Sequence, residues 1–419
     1  MIGTKKVKLN ALLGFCAIML NLMIIIELNL QPMSAKVVLR LRYRSVESKL
    51  QKNPYTIGMF FGEHGQDYFG ALIGTDWDGC IYIFDPIDWN LWTLKRFDRQ
   101  GRFQEAWNPI RAFCGHNVVV TKDGYIWLGI RWVDSDRLRG WPIIAYRKGK
   151  KEPVVDWRKE LPKHVVKIRD KLLAEVGIDL EKRWKEREKT AVHPTDWSVE
   201  GMSCSPNQVA FSLGLSGLGA DNFLARLLWI LCSSDGREIF EACISSKAWF
   251  WFLGYDGNFW IELIEREVDI FTPWKRIWLF KKKEDKGEPL IDLEKRKPDW
   301  IKILLGKQRE LQFSPIINID AKGNIYLIWQ KAPIRPYQRI IVEGREEKIA
   351  APTTGLGESA LIVLDKNRRF LTYLPWQSTY LVLPPNWIKP LPDGSGFYRI
   401  EYREREAVIY FHPLPSPKP

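Results

Sequence analysis

From about residue 70 onward, apolar and polar positions alternate in short runs, and each run is broken by a compact polar turn. Six turns of one kind lie between two apolar runs: "IGTDWDGCIYIF", "VVVTKDGYIWLGI", "GMSCSPNQVAFSL", "WFLGYDGNFWIEL", "INIDAKGNIYLIW" and "PLPDGSGFYRIEY". Asp-Gly and Gly-Asn pairs supply the positive φ that tight hairpins need. The flanking residues are β-branched or aromatic, as strands prefer. Five turns of a second kind alternate with these: "FDRQGRFQEAW", "AYRKGKKEPVVDW", "LCSSDGREIFEA", "FKKKEDKGEPLIDL" and "LDKNRRFLTYLPW". The unit is therefore strand, turn, strand, variable loop, strand, turn, strand. It occurs about six times. A four-stranded meander that cannot bury both of its faces alone is stable in a radial array. The pattern predicts an all-β chain, a β-propeller of six blades, each a four-stranded antiparallel sheet. Seven blades are the alternative if an insertion hides strands.

Three stretches depart from the alternation. The sixth unit ends in "LPSPKP", which supplies no fourth strand, so an N-terminal strand must cover that edge. The expected strand is "YTIGMFF" (55–61), lying beside 407–411, with 36–54 as a linker; "VVLRLRY" (37–43) is the second choice. Within 158–196, Leu161, Val165, Ile168, Leu172 and Val176 recur at helical spacing, so a helix is expected there. Gly177 should end it, Asp179 should cap a shorter second helix, and Lys163, Lys167 and Lys171 should form a basic stripe on the face away from the core. The insertions at 294–311 and 331–357 are expected to be surface loops or small helices.

The N-terminus changes the picture of location. Lys5, Lys6 and Lys8 precede an apolar run over 11–30 interrupted only by Asn21, Glu27 and Asn29. This order reads as an export signal in a hydrophobic helix, with 1–35 either a cleaved signal peptide or a retained membrane anchor. The body is then outside the cytoplasm, secreted, periplasmic or membrane-anchored. Charge bears instead on the partner. Of the formal net charge of +13, residues 1–52 carry nine Lys/Arg against two Glu, which leaves +6 for the body. A nucleic-acid partner loses its main support. Five cysteines follow Cys16: Cys80, Cys114, Cys204, Cys232 and Cys243. They show no CxxC spacing, so single buried thiols are expected, with Cys232–Cys243 the one pair considered for oxidation.

"VVVTKDGYIWLGI", "INIDAKGNIYLIW" and "FDRQGRF" resemble NHL-type repeats and the related propeller repeats of bacterial sensor ectodomains. The resemblance spans roughly 55–419, and it implies architecture and no particular activity. Chemistry is sparse. There is no phosphate-binding G-x-x-x-x-G-K-[ST] loop and no G-x-S-x-G elbow. "GLSGLGAD" lacks the strand–helix context of a dinucleotide site and reads as a loop. Glu63, His64, Asp67, His116, Asn117, His193, Asp196 and Glu200 fall in connections expected at the central mouth. They are candidate ligands for Ca²⁺ or Zn²⁺, as in the gluconolactonase-like propellers that this architecture resembles. Trp89, Trp92 and Trp141 are candidates for exposed aromatic contacts. The expected function is a non-catalytic binding or scaffold propeller without a cofactor, recognising a protein or glycan partner at the cell envelope. The alternative is a metal-assisted hydrolase or lactonase.

Overall fold

The computed structural model describes residues 35–45, 53–59, 72–88, 91–112, 114–131, 140–158, 160–175, 177–179, 182, 197–215, 226–246, 249–266, 274–292, 294–295, 316–330, 337–350, 357–378 and 388–415. Six sheets follow one another along the chain, each laid down from the inside outward. Blade 1 comprises Leu72–Thr75, Ile81–Asp88, Leu91–Phe97 and Phe103–Ala106, with the short Ile110–Arg111 also pairing on its third strand. Blade 2 comprises Cys114–Val120, Tyr125–Arg131, Ile143–Arg147 and Val155–Asp156. Blade 3 comprises Trp197–Cys204, Gln208–Leu215, Arg226–Ser233 and Ile239–Ser246. Blade 4 comprises Trp249–Leu253, Phe259–Arg266, Trp274–Lys281 and Ile291–Asp292. Blade 5 comprises Ile316–Ile319, Ile325–Gln330, Gly357–Leu364 and Phe370–Ser378. Blade 6 begins with Ile388–Pro390, Gly396–Tyr402 and Glu406–Pro413.

Closure corrects the expected strand. The fourth strand of blade 6 is Lys36–Ser45, which runs antiparallel to Glu406–Pro413 with Arg40 opposite Val408 and Leu41 opposite Ala407. Thr56–Met59, placed there by the sequence reading, is instead a fifth strand, parallel to Lys36–Ser45. Part of the stretch taken as linker is thus a ladder strand. Alternation explains the choice, because Leu39, Leu41 and Tyr43 are buried while Arg40 and Arg42 face solvent.

The sheets bury their faces against one another, which is what closes the ring. Tyr82, Phe84, Trp92, Val118, Ile126 and Tyr146 share one core between blades 1 and 2. Trp127 stacks on Phe211 between blades 2 and 3, and Trp229 stacks on Trp251 between blades 3 and 4. Ile277 and Ile291 meet Ile319 and Ile362 between blades 4 and 5, and Tyr326 meets Phe397 between blades 5 and 6. Leu41 and Ile409 pack on Ile73 and Ile83, returning to blade 1. The tryptophans supply this packing. Trp92 and Trp141 are fully buried, so they are not exposed contacts, and Trp89 lies outside the described residues.

The inserted helix is Lys163–Glu175. Val165, Leu172 and Leu173 bury its apolar side, with Ile168 partly covered, and Gly177 follows at φ +73°. Asp179 Oδ1 accepts the Lys182 N–H at 3.0 Å, as an N-cap does. Most of the residues beyond it lie outside the described set. The 331–357 insertion holds a hairpin, Tyr337–Val342 with Arg345–Ala350, and neither a plain loop nor a helix. Among the described residues no helix is long and apolar enough to cross a membrane; the segment 11–30 lies outside them. Cys80, Cys204, Cys232 and Cys243 are all free, so the considered Cys232–Cys243 bridge is absent.

Candidate functional site: the central channel

The inner strands of the six blades end at the first kind of turn, and in blades 1 and 5 an aspartate fixes its shape. In blade 1, Asp76 Oδ1 accepts the N–H groups of Asp78 and Cys80, both at 2.9 Å, while Oδ2 accepts the Tyr82 hydroxyl. Blade 5 repeats this with Asp320, Lys322, Asn324 and Tyr326. The charges differ. Burial pushes the Asp76 carboxyl up, but Lys148 of blade 2, 2.7 Å away, more than offsets that and holds it below the usual range. Asp320 has no such cation among the described residues, and burial leaves its carboxyl raised. These carboxylates are committed to turns.

Just inside the turns, side chains from different blades meet. Tyr255, two residues past the inner strand of blade 4, hydrogen-bonds Thr75 at the end of the inner strand of blade 1. Thr75 Oγ1 in turn donates to the Pro390 carbonyl of blade 6 at 3.2 Å. Trp77 packs edge-on against Tyr255, with ring centroids 5.7 Å apart. Tyr255, Thr75 and Cys204 are all buried. Blades 1 and 4 are three apart in the ring order, so this contact joins them at the level of the turns.

Lys389 lies in the inner strand of blade 6, between the buried Ile388 and Pro390. Cys204, at the end of the inner strand of blade 3, is the titratable group whose charge acts on it. Lys389 is partly exposed and has no hydrogen-bond or ion-pair partner among the described residues. Burial pulls its ammonium down to about 8, and burial pushes the Cys204 thiol up to about 12. Sequence reading missed Lys389. The available signal was a lysine flanked by apolar residues in "NWIKPLPDG", directly before a hairpin turn.

The candidates for the opposite end of the channel fare unevenly. Glu63, His64, Asp67, His193 and Asp196 lie outside the described residues. His116 and Glu200 occupy the backbone irregularities of the inner strands of blades 2 and 3, where register shifts between Gly115 and Asn117 and between Val199 and Gly201. Asn117 follows on the same strand, half-buried. Among the described residues no three His, Cys, Asp or Glu side chains cluster as a metal site would.

No family model matches the chain, and no curated protein matches it. Membership of an NHL-type family therefore has no support beyond the motifs. Solved structures similar to the chain include a member of the DUF4221 family from Bacteroides vulgatus, at 8% identity and TM-score 0.42, covering 91% of this chain and 98% of that one. A luciferin-regenerating enzyme matches at 10% identity and TM-score 0.38 over 83% of this chain and 92% of its own. A putative TolB from Agrobacterium tumefaciens matches at 10% identity and TM-score 0.35, covering 84% and 93%. Similarity this slight carries no argument about chemistry. The chain's own strand order is what defines it as a six-bladed β-propeller.

Proposed function

We propose that this protein is an extracytoplasmic binding propeller that recognises an acidic protein partner at the cell envelope and performs no catalysis. The carrying observation is the inserted helix Lys163–Glu175. It buries one side against the ring and leaves Lys163, Lys167 and Lys171 exposed in a row on another. A propeller fixes the ends of its insertions, so a helix held this way is a rigid, charged contact surface. The N-terminal targeting pattern supports placement outside the cytoplasm, with 11–30 as signal or anchor. The test is charge reversal, K163E/K167E/K171E, followed by co-sedimentation with envelope fractions. Loss of association with an unchanged melting temperature is expected; unchanged association overturns the reading. An alkaline phosphatase fusion after Lys52 checks location, and an inactive fusion overturns export.

A divalent-metal hydrolase is the second reading. One observation favours it: His116 and Glu200 sit at matching irregularities of neighbouring inner strands. Stoichiometric Ca²⁺ or Zn²⁺ in purified protein, lost in H116A/E200A, would establish it.

A further inference from the structure

In an antiparallel four-stranded meander, the turn joining strands one and two and the turn joining strands three and four lie at the same end. Both kinds of turn therefore share one face of the ring. In blade 2 they touch, the Lys148 N–H donating to the Gly124 carbonyl at 3.0 Å. The chain also enters the ring on this face. Lys36, the first residue of the closing strand, stands opposite Phe411, close to Pro413, which pairs with Gly396 just after the inner turn of blade 6. Residues 31–35 alone separate Lys36 from the apolar run 11–30, a reach of about 17 Å at full extension. Five large apolar side chains are exposed among the described residues, and all stand at this end. Phe103, Val154 and Phe240 lie within one residue of the start of the fourth strands of blades 1, 2 and 3. Val37 follows Lys36, and the Tyr55 hydroxyl accepts the Phe103 N–H at 3.2 Å. The outer turns, 98–102, 147–152, 233–238, 281–288 and 365–369, hold fourteen Lys/Arg against eight Asp/Glu. Of those acids, Asp98, Asp235 and Asp365 are engaged by N–H groups of their own turns. Lys150, Lys283 and Lys366 are exposed and have no ion pair among the described residues. The inner turns are not basic, since the exposed Asp78, Asp123 and Asp393 outnumber Lys122 and Lys322. The positive charge belongs to the rim.

We propose that this face lies flat on an anionic lipid bilayer, the one that 11–30 enters. Shape selects the occupant. The exposed apolar side chains are spread over blades 6, 1, 2 and 3, and the three lysines over blades 2, 4 and 5, so what covers them extends across the disc. Apolar side chains this far apart do not make the contiguous patch that a protein partner covers. A membrane interface takes them singly, each reaching the acyl boundary while the lysines meet headgroup phosphates. The proposal rests on 11–30 being retained as an anchor and is independent of the partner of the inserted helix. That helix belongs to the connection between blades 2 and 3, which leaves and returns on the opposite face.

The test uses the full chain, reconstituted in phosphatidylcholine vesicles with or without phosphatidylglycerol and recovered by flotation. Lysine acetylation, mapped by mass spectrometry, reads which face is covered. Lys150, Lys283 and Lys366 should react about fivefold more slowly when phosphatidylglycerol is present. Lys163, Lys167 and Lys171 should react at the same rate in both vesicles. In K150E/K283E/K366E the remaining Lys151 and Lys286 should react as fast as in neutral vesicles, at an unchanged melting temperature. K163E/K167E/K171E makes the same change in net charge and should keep its turn lysines protected. Equal rates at the turn lysines in the two vesicles overturn the docking and leave the anchor standing. Equal slowing at the helix lysines also overturns it, because the attraction then has no face. A chain that floats with neither vesicle overturns the anchor and the docking with it.

Discussion

At the scale of single residues, repeated phrases in the chain are repeated hydrogen-bond patterns. In "FDRQGRF" the Asp98 Oδ1 accepts the Gln100 and Arg102 N–H groups and Oδ2 takes Arg102 Nε at 2.6 Å; in "LDKNRRF" Asp365 does the same with Asn367 and Arg369. The Asp, the turn and the basic residue four positions on are one local unit, so the sequence could show them. Long-range charge networks left no such trace. Asp85 is fully buried, with Arg44 Nη2 at 2.8 Å, Lys95 Nζ at 2.6 Å and the Gly58 N–H at 2.7 Å, joining residues up to 41 positions apart. Gly58 is required here, since a Cβ would lie 2.1 Å from the Pro86 carbonyl oxygen. Replacing Asp85 with Asn strands two buried cations and should cost about 3–5 kcal/mol in chemical denaturation; a loss below about 1 kcal/mol would show the network to be dispensable. His412 is a second buried polar group. It stacks on Phe397 at 4.9 Å, neither ring nitrogen has a partner among the described residues, and burial, with Arg399 adding to it, pulls its pKa down to about 4. Below about 6.5 the unfolded chain takes up a proton that the folded one refuses, so stability falls as pH drops from about 6.5 towards 4. At pH 5 the loss is about 2 kcal/mol relative to pH 7.5. H412F should flatten the profile between those two pH values, and an unchanged slope would assign the dependence to other groups.

At the scale of elements, hairpins were legible and closure was not. Each hairpin is specified by residues a few positions apart, whereas Arg40 and Glu406 form an ion pair 366 positions apart and no local rule links them. The alternation in "VVLRLRY" was visible, but nearness to the first blade favoured 55–61. The molecule uses both stretches, one as ladder strand and one as the strand beyond it. The turn of blade 1 also records this closure: Gly101 takes φ +80° and a Cβ there would meet the Val38 carbonyl oxygen at 2.1 Å. A chain beginning at residue 35 should therefore melt with the full-length protein. One beginning at residue 46 loses the Lys36–Ser45 ladder, uncovers the edge of Glu406–Pro413 and removes Arg44 from Asp85. It should melt at least 10 °C lower, or aggregate, because several kcal/mol leave at once. Equal melting of the two chains would refute the closure. The contact of Tyr255 with Thr75 was illegible for a related reason. It joins blades 4 and 1, and strand alternation says which face a residue takes but not which residues converge at the centre of a ring.

At the scale of the whole molecule, the ring separates two surfaces that the chain could use. The helix Lys163–Glu175 packs on the outer strand of blade 3, Ile239–Ser246, while Cys204 ends the inner strand of the same blade. Three strand spacings lie between them, about 14 Å of close-packed sheet. A rigid blade transmits little between sites that share no side chain, and substitutions so far apart add independently in most proteins. K163E/K167E/K171E should thus abolish envelope association without moving the melting temperature, and K389M, in the inner strand of blade 6, should leave association intact. Combining them should give the sum of their separate effects on stability to within about 0.5 kcal/mol. A larger coupling in chemical denaturation would mean that the rim and the inner strands report to each other through the sheets, and the ring would not be the rigid scaffold that the inserted helix needs.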